Sequence, residues 1–238
     1  MSLAAERVRA VRKRDGHYWL EGEKYVAVTE VLSVINKRAL IHWAAKTAAG
    51  LVLSDPDTYD SVEKAAAGIY ATRDKAADRG SVIHSVAEAL GRGAGIDVAT
   101  VPEQYRGYVQ AFASWVAQTK PTPLFTEANV YSTRYKYAGT TDLIAAFPDK
   151  QIRLIDYKSS SAGQVYPETS LQMEAYRRCD FILPHVNGDQ PIPMPPVAEC
   201  AVVLLKDDGT FVYQTLEGDF DAFLAAKTLW AWSTKGKR

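Results

Sequence analysis

The chain has 238 residues, of which 47% are hydrophobic and 11% aromatic, so it is long enough to form one substantial core. Its 28 Lys and Arg residues balance its 28 Asp and Glu residues, which excludes a protein that binds nucleic acid by bulk positive charge alone. The only two cysteines, Cys179 and Cys200, cannot form a four-cysteine zinc or iron–sulfur site. We find neither a signal peptide nor an apolar run of membrane-spanning length, and therefore expect a cytoplasmic protein without membrane contact.

Two local clusters of basic residues stand out against the balanced total. One covers residues 7–14, and the other comprises Lys235, Lys237 and Arg238. Either could bind an anionic partner, but a solvated strand and a frayed tail explain the two clusters equally well.

The first part of the chain has the pattern of a small meander followed by helices. Residues 6–28 contain alternating segments with turn signals at Asp15-Gly16 and Glu21-Gly22. Thr29 is expected to cap the helix that follows, and a second helix is predicted over residues 39–52.

A long Ala-rich stretch, residues 61–91, is also predicted to be helical. Arg79-Gly80 marks a break or a close backbone approach near its middle. After this point an apolar stripe continues, and His84 lies on another face of the helix. The next helix is predicted over residues 102–118.

The remainder of the chain mixes strands with helices. A strand at about residues 124–132, which includes Glu127, precedes two strands that carry Asp142 and then Asp156 with Lys158. The elements predicted after them are a helix at 167–181, a Pro-rich loop at 184–196, a hairpin of 197–206 with 210–216, and a helix at 218–232. This order predicts an α/β fold with a central mixed sheet flanked by helices. We expect residues 1–75 to form an N-terminal meander and helical extension packed on a core of residues 76–238.

Charged residues interrupt an otherwise apolar hairpin between Gly139 and Lys158. Unpaired charges are costly to bury in such a setting, so these charges need a partner, a metal or a chemical role. Because side chains alternate along a strand, Asp156 and Lys158 project from the same side and can share a small volume with Asp142.

Two carboxylates at one strand end suit a divalent metal. Asp142 and Asp156 offer the hard oxygen ligands that Mg²⁺ or Mn²⁺ prefers, and the backbone carbonyl of Tyr157, between Asp156 and Lys158 in the sequence, is a further candidate ligand. Such a metal would lower the pKa of a bound water, and Lys158 could position or deprotonate that water.

Each signal also has an ordinary structural explanation when taken alone. An Asp-x-Lys sequence is most often a solvated ion pair, and a single histidine such as His84 is most often a satisfied core residue. Gln172 and Tyr176 lie on one face of a helix, where a surface amide and a half-buried tyrosine are common. The combination is more specific than any one part.

Together these residues resemble the PD-(D/E)XK nuclease superfamily, and within it the RecB-like exonucleases. The resemblance covers about residues 79–181 and rests on four segments, which are R-G-S-V-I-H-S-V-A-E, G-T-T-D-L-I-A, L-I-D-Y-K-S-S and L-Q-M-E-A-Y-R-R. It implies a restriction-endonuclease-like core. The N-terminal meander and the V-T-E-V-L helix are similar to those of phage-encoded relatives.

The resemblance implies a metal site and a catalytic lysine. His84, Asp142 and Asp156 would be the metal ligands, and Lys158 would act in catalysis. The implied cofactor is Mg²⁺ or Mn²⁺, and the cysteine count places the chain with the relatives that carry no iron–sulfur cluster.

Three further residues follow from the same resemblance. Gln172 and Tyr176 match the accessory Q-x-x-x-Y pair of the family and would belong to the catalytic set. Glu127 falls on a strand where relatives often carry an acidic residue, and its role stays open.

The implied activity is that of a divalent-metal-dependent DNA exonuclease, acting on linear single- or double-stranded DNA in recombination, replication or repair. A recombinase or a single-strand-binding protein would be its partner, and several identical chains could assemble. For a phage-encoded protein, the compartment would be the bacterial host cytoplasm. Two alternatives remain, which are a non-catalytic DNA-binding or scaffold protein on the same fold and a structure-specific endonuclease.

Overall fold

The computed structural model of the chain describes residues 10–14, 17–91, 93–95, 97–159, 165–184 and 190–235. Of the two basic clusters, Lys237 and Arg238 lie outside these ranges, as do the side chains of residues 7–14. Lys235 is described and is exposed.

Ten strands of the described residues form one mixed sheet. They are β1 (Ala10–Arg14), β2 (His17–Leu20), β3 (Glu23–Ala27), β4 (Thr122–Ser132), β5 (Tyr137–Ala146), β6 (Ile152–Ser159), β7 (Phe181–Leu183), β8 (Ile192–Pro193), β9 (Val197–Leu205) and β10 (Phe211–Leu216). Most neighbouring strands are antiparallel, whereas β3 with β5 and β6 with β9 are parallel pairs.

Six α-helices in the described part of the chain flank the sheet. They are α1 (Val28–Val31), α2 (Arg38–Ser54), α3 (Val62–Gly91), α4 (Arg106–Thr119), α5 (Pro167–Arg177) and α6 (Phe220–Ser233), with 3₁₀ turns at Leu32–Val34, Val98–Thr100 and Glu103–Tyr105. The predicted α/β fold, a central mixed sheet flanked by helices, is confirmed. None of the helices in the described ranges is long and apolar enough to span a lipid bilayer.

Separate apolar clusters cover the two faces of the sheet. Met173 of α5 and Phe223 of α6 belong to the cluster on one face, and Ile83 of α3 and Trp115 of α4 belong to the cluster on the other. These four side chains are almost completely removed from solvent. Burial of each contributes about 1.5–3 kcal/mol, so both helical layers hold the sheet rigidly from its two sides.

Helix α3 is continuous from Val62 to Gly91, and the predicted break at Arg79-Gly80 was wrong. A Cβ atom added at Gly80 would meet nothing within 4 Å, so the glycine does not mark a close backbone approach either. A glycine within a helix costs only about 1 kcal/mol, which the buried stripe of this long helix offsets. The expected division between residues 1–75 and 76–238 falls inside this helix.

The chain between α5 and β9 also differs from the prediction. Helix α5 ends at Arg177 rather than at residue 181, and Phe181–Leu183 forms β7, which pairs with β4. The predicted loop at 184–196 contains the short strand β8. Strands of two or three residues are too short to show an alternating pattern in sequence. Thr29 lies within α1 and caps no helix, because the residue that precedes α1 is Ala27.

Candidate metal centre

The centre of the candidate site is one rung of the β4–β5 pair, at which Glu127 lies opposite Asp142. Thr126 pairs with Leu143 on one side of this rung, and Ala128 pairs with Thr141 on the other. Glu127 itself has a φ of 48°, in the left-handed region that a glutamate rarely adopts within a strand. Phe125 and Ala128 contact the same core cluster although they are three residues apart, so the backbone of β4 reverses its side-chain alternation at Glu127. Such strain is commonly held at functional sites.

A gap in the pairing of β5 leaves room beside this rung. Strand β3 pairs with β5 only at residues 137–138, and β6 pairs with the same edge only at residues 143–146. Between them, Asp142 Oδ2 accepts a hydrogen bond from the backbone N–H of Tyr157 at 2.8 Å, where the ladder would otherwise continue. The Asp142 carboxylate is therefore fixed where β5 and β6 separate.

His84 reaches this rung from helix α3. Its Nδ1 lies 2.7 Å from Glu127 Oε1 and 3.7 Å from Asp142 Oδ1. One imidazole nitrogen and one oxygen from each carboxylate lie within 4.8 Å of one another, and all three residues are half-buried. Nitrogen and oxygen donors at this spacing fit a single divalent metal ion. His84 and Asp142, predicted as ligands, thus come together, and Glu127 joins them.

Asp156 lies beside this group and is only 4% exposed. Its Oδ1 accepts a hydrogen bond from Lys158 Nζ at 2.9 Å. Its Oδ2 is 2.7 Å from the same nitrogen, yet it is buried and makes no hydrogen bond of acceptable angle to any described residue. A buried carboxylate oxygen without its full set of partners is costly unless a further cation completes it. Asp156 is outside the three-residue group of His84, Glu127 and Asp142.

The electrostatics of the site favour bound protons when no metal is present. The hydrogen bond to Glu127 raises the pKa of His84 to about 9, although burial opposes the charged imidazolium. Burial raises the pKa of Asp142 to about 7, and the charge of Asp156 adds to that shift. Burial alone would lower the pKa of Lys158, but Asp156 and Asp142 outweigh it, and the pKa lies above its usual value. A divalent cation bound beside His84 and Asp142 would displace these protons.

Gln172 and Tyr176 lie on α5 on the other side of the strand from His84. Gln172 Nε2 donates to Tyr176 Oη at 3.0 Å, and Tyr176 is 4% exposed. A Cβ atom added at Gly139 would lie 2.1 Å from the Tyr176 ring, so only glycine at this position of β5 lets the ring pack against the backbone. The charges of Asp156 and Asp142 both act on Tyr176, whose pKa burial raises well above its usual value. This pair therefore supports the strand that carries Asp142.

Arg79 is a residue of the site that the sequence did not single out for a role. Its Nε donates to Ser159 Oγ at 2.8 Å, and its Nη2 donates to the Ser159 carbonyl at 3.0 Å. Its guanidinium also lies 4.8 Å from the centroid of the Tyr108 ring. Because Ser159 directly follows Lys158, Arg79 fixes the end of β6. Its position five residues before His84 on α3 was the only sequence signal that could have found it.

Comparison with known proteins gives only structural likenesses. No protein-family model matches the sequence, and no curated protein matches it. The chain is similar to the crystal structure of an alkaline exonuclease (LHK-Exo) from Laribacter hongkongensis, with a TM-score of 0.43 and 12% identity over 90% of this chain and 89% of that chain. A structure of LHK-Exo in complex with dAMP gives a TM-score of 0.40 and 16% identity over the same shares of the two chains.

Proposed function

We propose that the protein is a nuclease that hydrolyses phosphodiester bonds in DNA with the help of a divalent metal. The observation that supports this most is the convergence of His84, Glu127 and Asp142 next to the buried Asp156 and its partially exposed partner Lys158. A purely structural ion pair needs two opposite charges, whereas this site concentrates three carboxylates, one of which, Asp156, is buried and ion-paired with Lys158. Such a cluster at a point of backbone strain is expected of a metal site.

His84, Asp142 and Asp156 would hold the ion, with Glu127 and the backbone carbonyl of Tyr157 as further donors. Oxygen donors with one imidazole suit Mn²⁺ or Mg²⁺, and the described residues offer no thiolate here that would select an iron–sulfur cluster. When bound, such an ion lowers the pKa of a coordinated water and neutralises charge that develops on the phosphoryl oxygens.

Lys158 supplies a fixed positive charge at the rim of the site. Its Nζ is held by Asp156, and its side chain is 44% exposed, so it can contact a substrate. With a pKa above its usual value, the ammonium stays charged at neutral pH. We assign it to orient the attacking water and to stabilise negative charge on the scissile phosphate. Arg79 acts through Ser159 and holds Lys158 in position.

Gln172 and Tyr176 act on the opposite side of the strand. Because the Tyr176 ring packs against Gly139, the pair fixes the position of strand β5, which carries Asp142. The Gln172 side chain is half-buried, and we assign its amide to contact a phosphate or a base edge of bound DNA.

The finer assignment follows the resemblance described above. We propose an exonuclease of the PD-(D/E)XK superfamily that acts on linear DNA in recombination, replication or repair, in a cytoplasm that would be that of a bacterial host if the gene belongs to a phage. A recombinase or a single-strand-binding protein would be the partner, and the active form could contain several chains.

An assay with end-labelled linear DNA and covalently closed circular DNA, with Mg²⁺ or Mn²⁺ titrated in, tests this proposal. We expect metal-dependent degradation of the linear substrate only. Asp156→Ala and Lys158→Ala should abolish it, while Asp149→Ala, in the exposed turn at the far end of β5, should behave as the wild type. Cleavage retained in both site variants would contradict the assignment.

The same assay separates the two alternatives. Cleavage of the circular substrate would indicate an endonuclease. DNA binding without turnover at any metal concentration would indicate a non-catalytic binding or scaffold protein on a nuclease-like fold. The presence of His84, Asp142, Asp156 and Lys158 together counts against the second alternative, since a scaffold has no need of all four.

A further inference from the structure

A second candidate binding surface lies away from the metal centre, between helix α6 and the turn that joins β4 to β5. Two adjoining cavities of about 740 and 700 Å³ share Lys136, Lys227 and Ala231. We call the combined surface the α6 groove, and its basic lining residues are Lys24, Arg134, Lys136, Lys227 and Lys235.

The charge of the α6 groove differs from that of the whole chain. Five basic side chains line it against one acidic side chain, Glu30, although the chain as a whole has zero formal charge. Lys136 pairs with Glu23 at the rim. Burial lowers the pKa of Lys227, which is the direction expected for an ammonium that no nearby carboxylate compensates. A groove with this excess of cations attracts a polyanion.

Aromatic side chains line the groove together with these cations. Trp232 is 70% exposed, and Trp230 and Tyr135 also line the groove. The Arg134 guanidinium lies 5.1 Å from the centroid of the Tyr135 ring. An exposed tryptophan at the end of a helix offers its face for stacking, and nucleic-acid bases are flat partners of suitable size.

We propose that the α6 groove binds single-stranded nucleic acid. Cations that follow a phosphate backbone, with aromatic faces between them, are the two features by which proteins hold single strands without regard to sequence. In a duplex the bases are stacked on each other, so Trp232 would gain nothing from it. An acidic peptide would use the cations but leave the indoles without a partner.

The position of the groove connects it to the metal centre. Lys136 directly precedes β5, and Asp142 lies six residues further along the same chain, a distance of roughly 20 Å at the rise of a strand. A strand held in the groove would therefore be bound some nucleotides away from the cutting site. Binding in the groove does not require the metal centre to be active, so the two proposals can fail separately.

Fluorescence anisotropy of a labelled short oligothymidylate, measured with the full chain in EDTA, tests the groove. Trp232→Ala, and separately Lys24→Glu with Lys235→Glu, should each weaken binding about tenfold. The double charge variant should also reduce the slope of log affinity against log salt by about 0.7 for each lost phosphate contact. Lys150→Glu, a charge reversal in the turn at the far end of β5, is the matched control and should bind as the wild type. All replaced side chains are exposed, so folding should be preserved.

Wild-type oligothymidylate affinity in both groove variants would overturn the proposal. If those variants also lost binding of polyglutamate, the groove would be assigned to an acidic protein partner instead. Asp156→Ala should retain oligothymidylate binding in EDTA. If groove variants lose binding but no nuclease activity is found, the groove proposal stands and the nuclease proposal falls.

Discussion

Charged residues lie in opposite settings at two nearby points of the chain, which are Asp142 near the middle of β5 and Lys136 directly before this strand. Around Asp142 the charges are buried or half-buried and lie close together, and one carboxylate oxygen of Asp156 has no hydrogen bond among the described residues. At Lys136 the charges belong to an open groove in which Trp232 is exposed. Buried charges are costly and are kept where chemistry needs them, whereas exposed cations cost little and attract a partner over a distance. The difference separates a candidate reaction site from a candidate binding surface.

Of His84 and Arg79, His84 should have the larger effect on cleavage when its side chain is removed. His84→Ala is expected to lower metal-dependent DNA cleavage by about a hundredfold or more, because it deletes a nitrogen donor next to Glu127 and Asp142. Binding of oligothymidylate in EDTA should remain, which keeps the two regions distinct. Cleavage rates with titrated Mn²⁺ measure the effect, and His42→Ala on exposed α2 is the matched control. Equal rates for both variants would remove His84 from the site.

Arg79 should have a smaller effect, because it acts through Ser159 rather than on the metal. Arg79→Ala is expected to lower the cleavage rate about tenfold, since the end of β6 and the Lys158 ammonium lose their support. Mn²⁺ affinity, measured by calorimetry, should stay near the wild-type value. Arg79→Lys should recover only part of the rate, because a lysine cannot reproduce both hydrogen bonds. A loss of metal affinity equal to the loss of rate would show that Arg79 has a different role.

The pH dependence of stability gives a further test of the crowded site. The raised pKa of His84 contributes stability below about pH 6.5 that is lost as the pH rises through about 9. The pKa of Asp142 is raised to about 7, so this residue also binds more protons in the folded chain than in the unfolded chain. Its contribution to stability is therefore lost as the pH rises from about 4 to about 7. Both groups make the metal-free protein less stable as the pH rises.

Metal binding has the opposite pH dependence, because His84 must lose its proton to act as a ligand. We therefore expect Mn²⁺, at about a hundred times its dissociation constant at pH 8, to raise the melting temperature by about 5–10 °C near pH 8. The same Mn²⁺ concentration should raise it by clearly less near pH 6. Thermal melts in Mn²⁺ and in EDTA at both pH values measure this difference. A metal effect that is equal or greater at the lower pH would contradict protonation of the site.

Much of the fold followed from local patterns, because most elements are long enough to show a period. The strand that carries Asp142 and the strand of Asp156 and Lys158 were predicted with their charged residues in place. The two-residue strand β8 showed no period, and the glycine at Gly80 suggested a break that the packing of α3 overrides. Sequence spacing reports local geometry, whereas these elements are determined by contacts between distant segments.

The candidate site, like the fold, could be predicted only in part from the sequence. His84, Asp142, Asp156 and Lys158 were singled out from sequence, but the central place of Glu127 was not. Glu127 approaches His84 from a left-handed backbone conformation within β4. Glutamate seldom adopts this conformation, so the sequence does not predict it. Arg79 contacts Ser159 across 80 positions of the sequence, a pairing that only the folded chain reveals.

The most direct test of the metal centre is a crystal structure of the protein grown with Mn²⁺, with anomalous scattering recorded to locate the ion. The expected result is a manganese peak at coordinating distance from His84 Nδ1 or Nε2 and from oxygens of Asp142 and Asp156, with Glu127 beside it. Crystals of a protein that cleaves DNA with Mn²⁺, but whose manganese lies away from His84 and Asp142, would contradict the proposed centre.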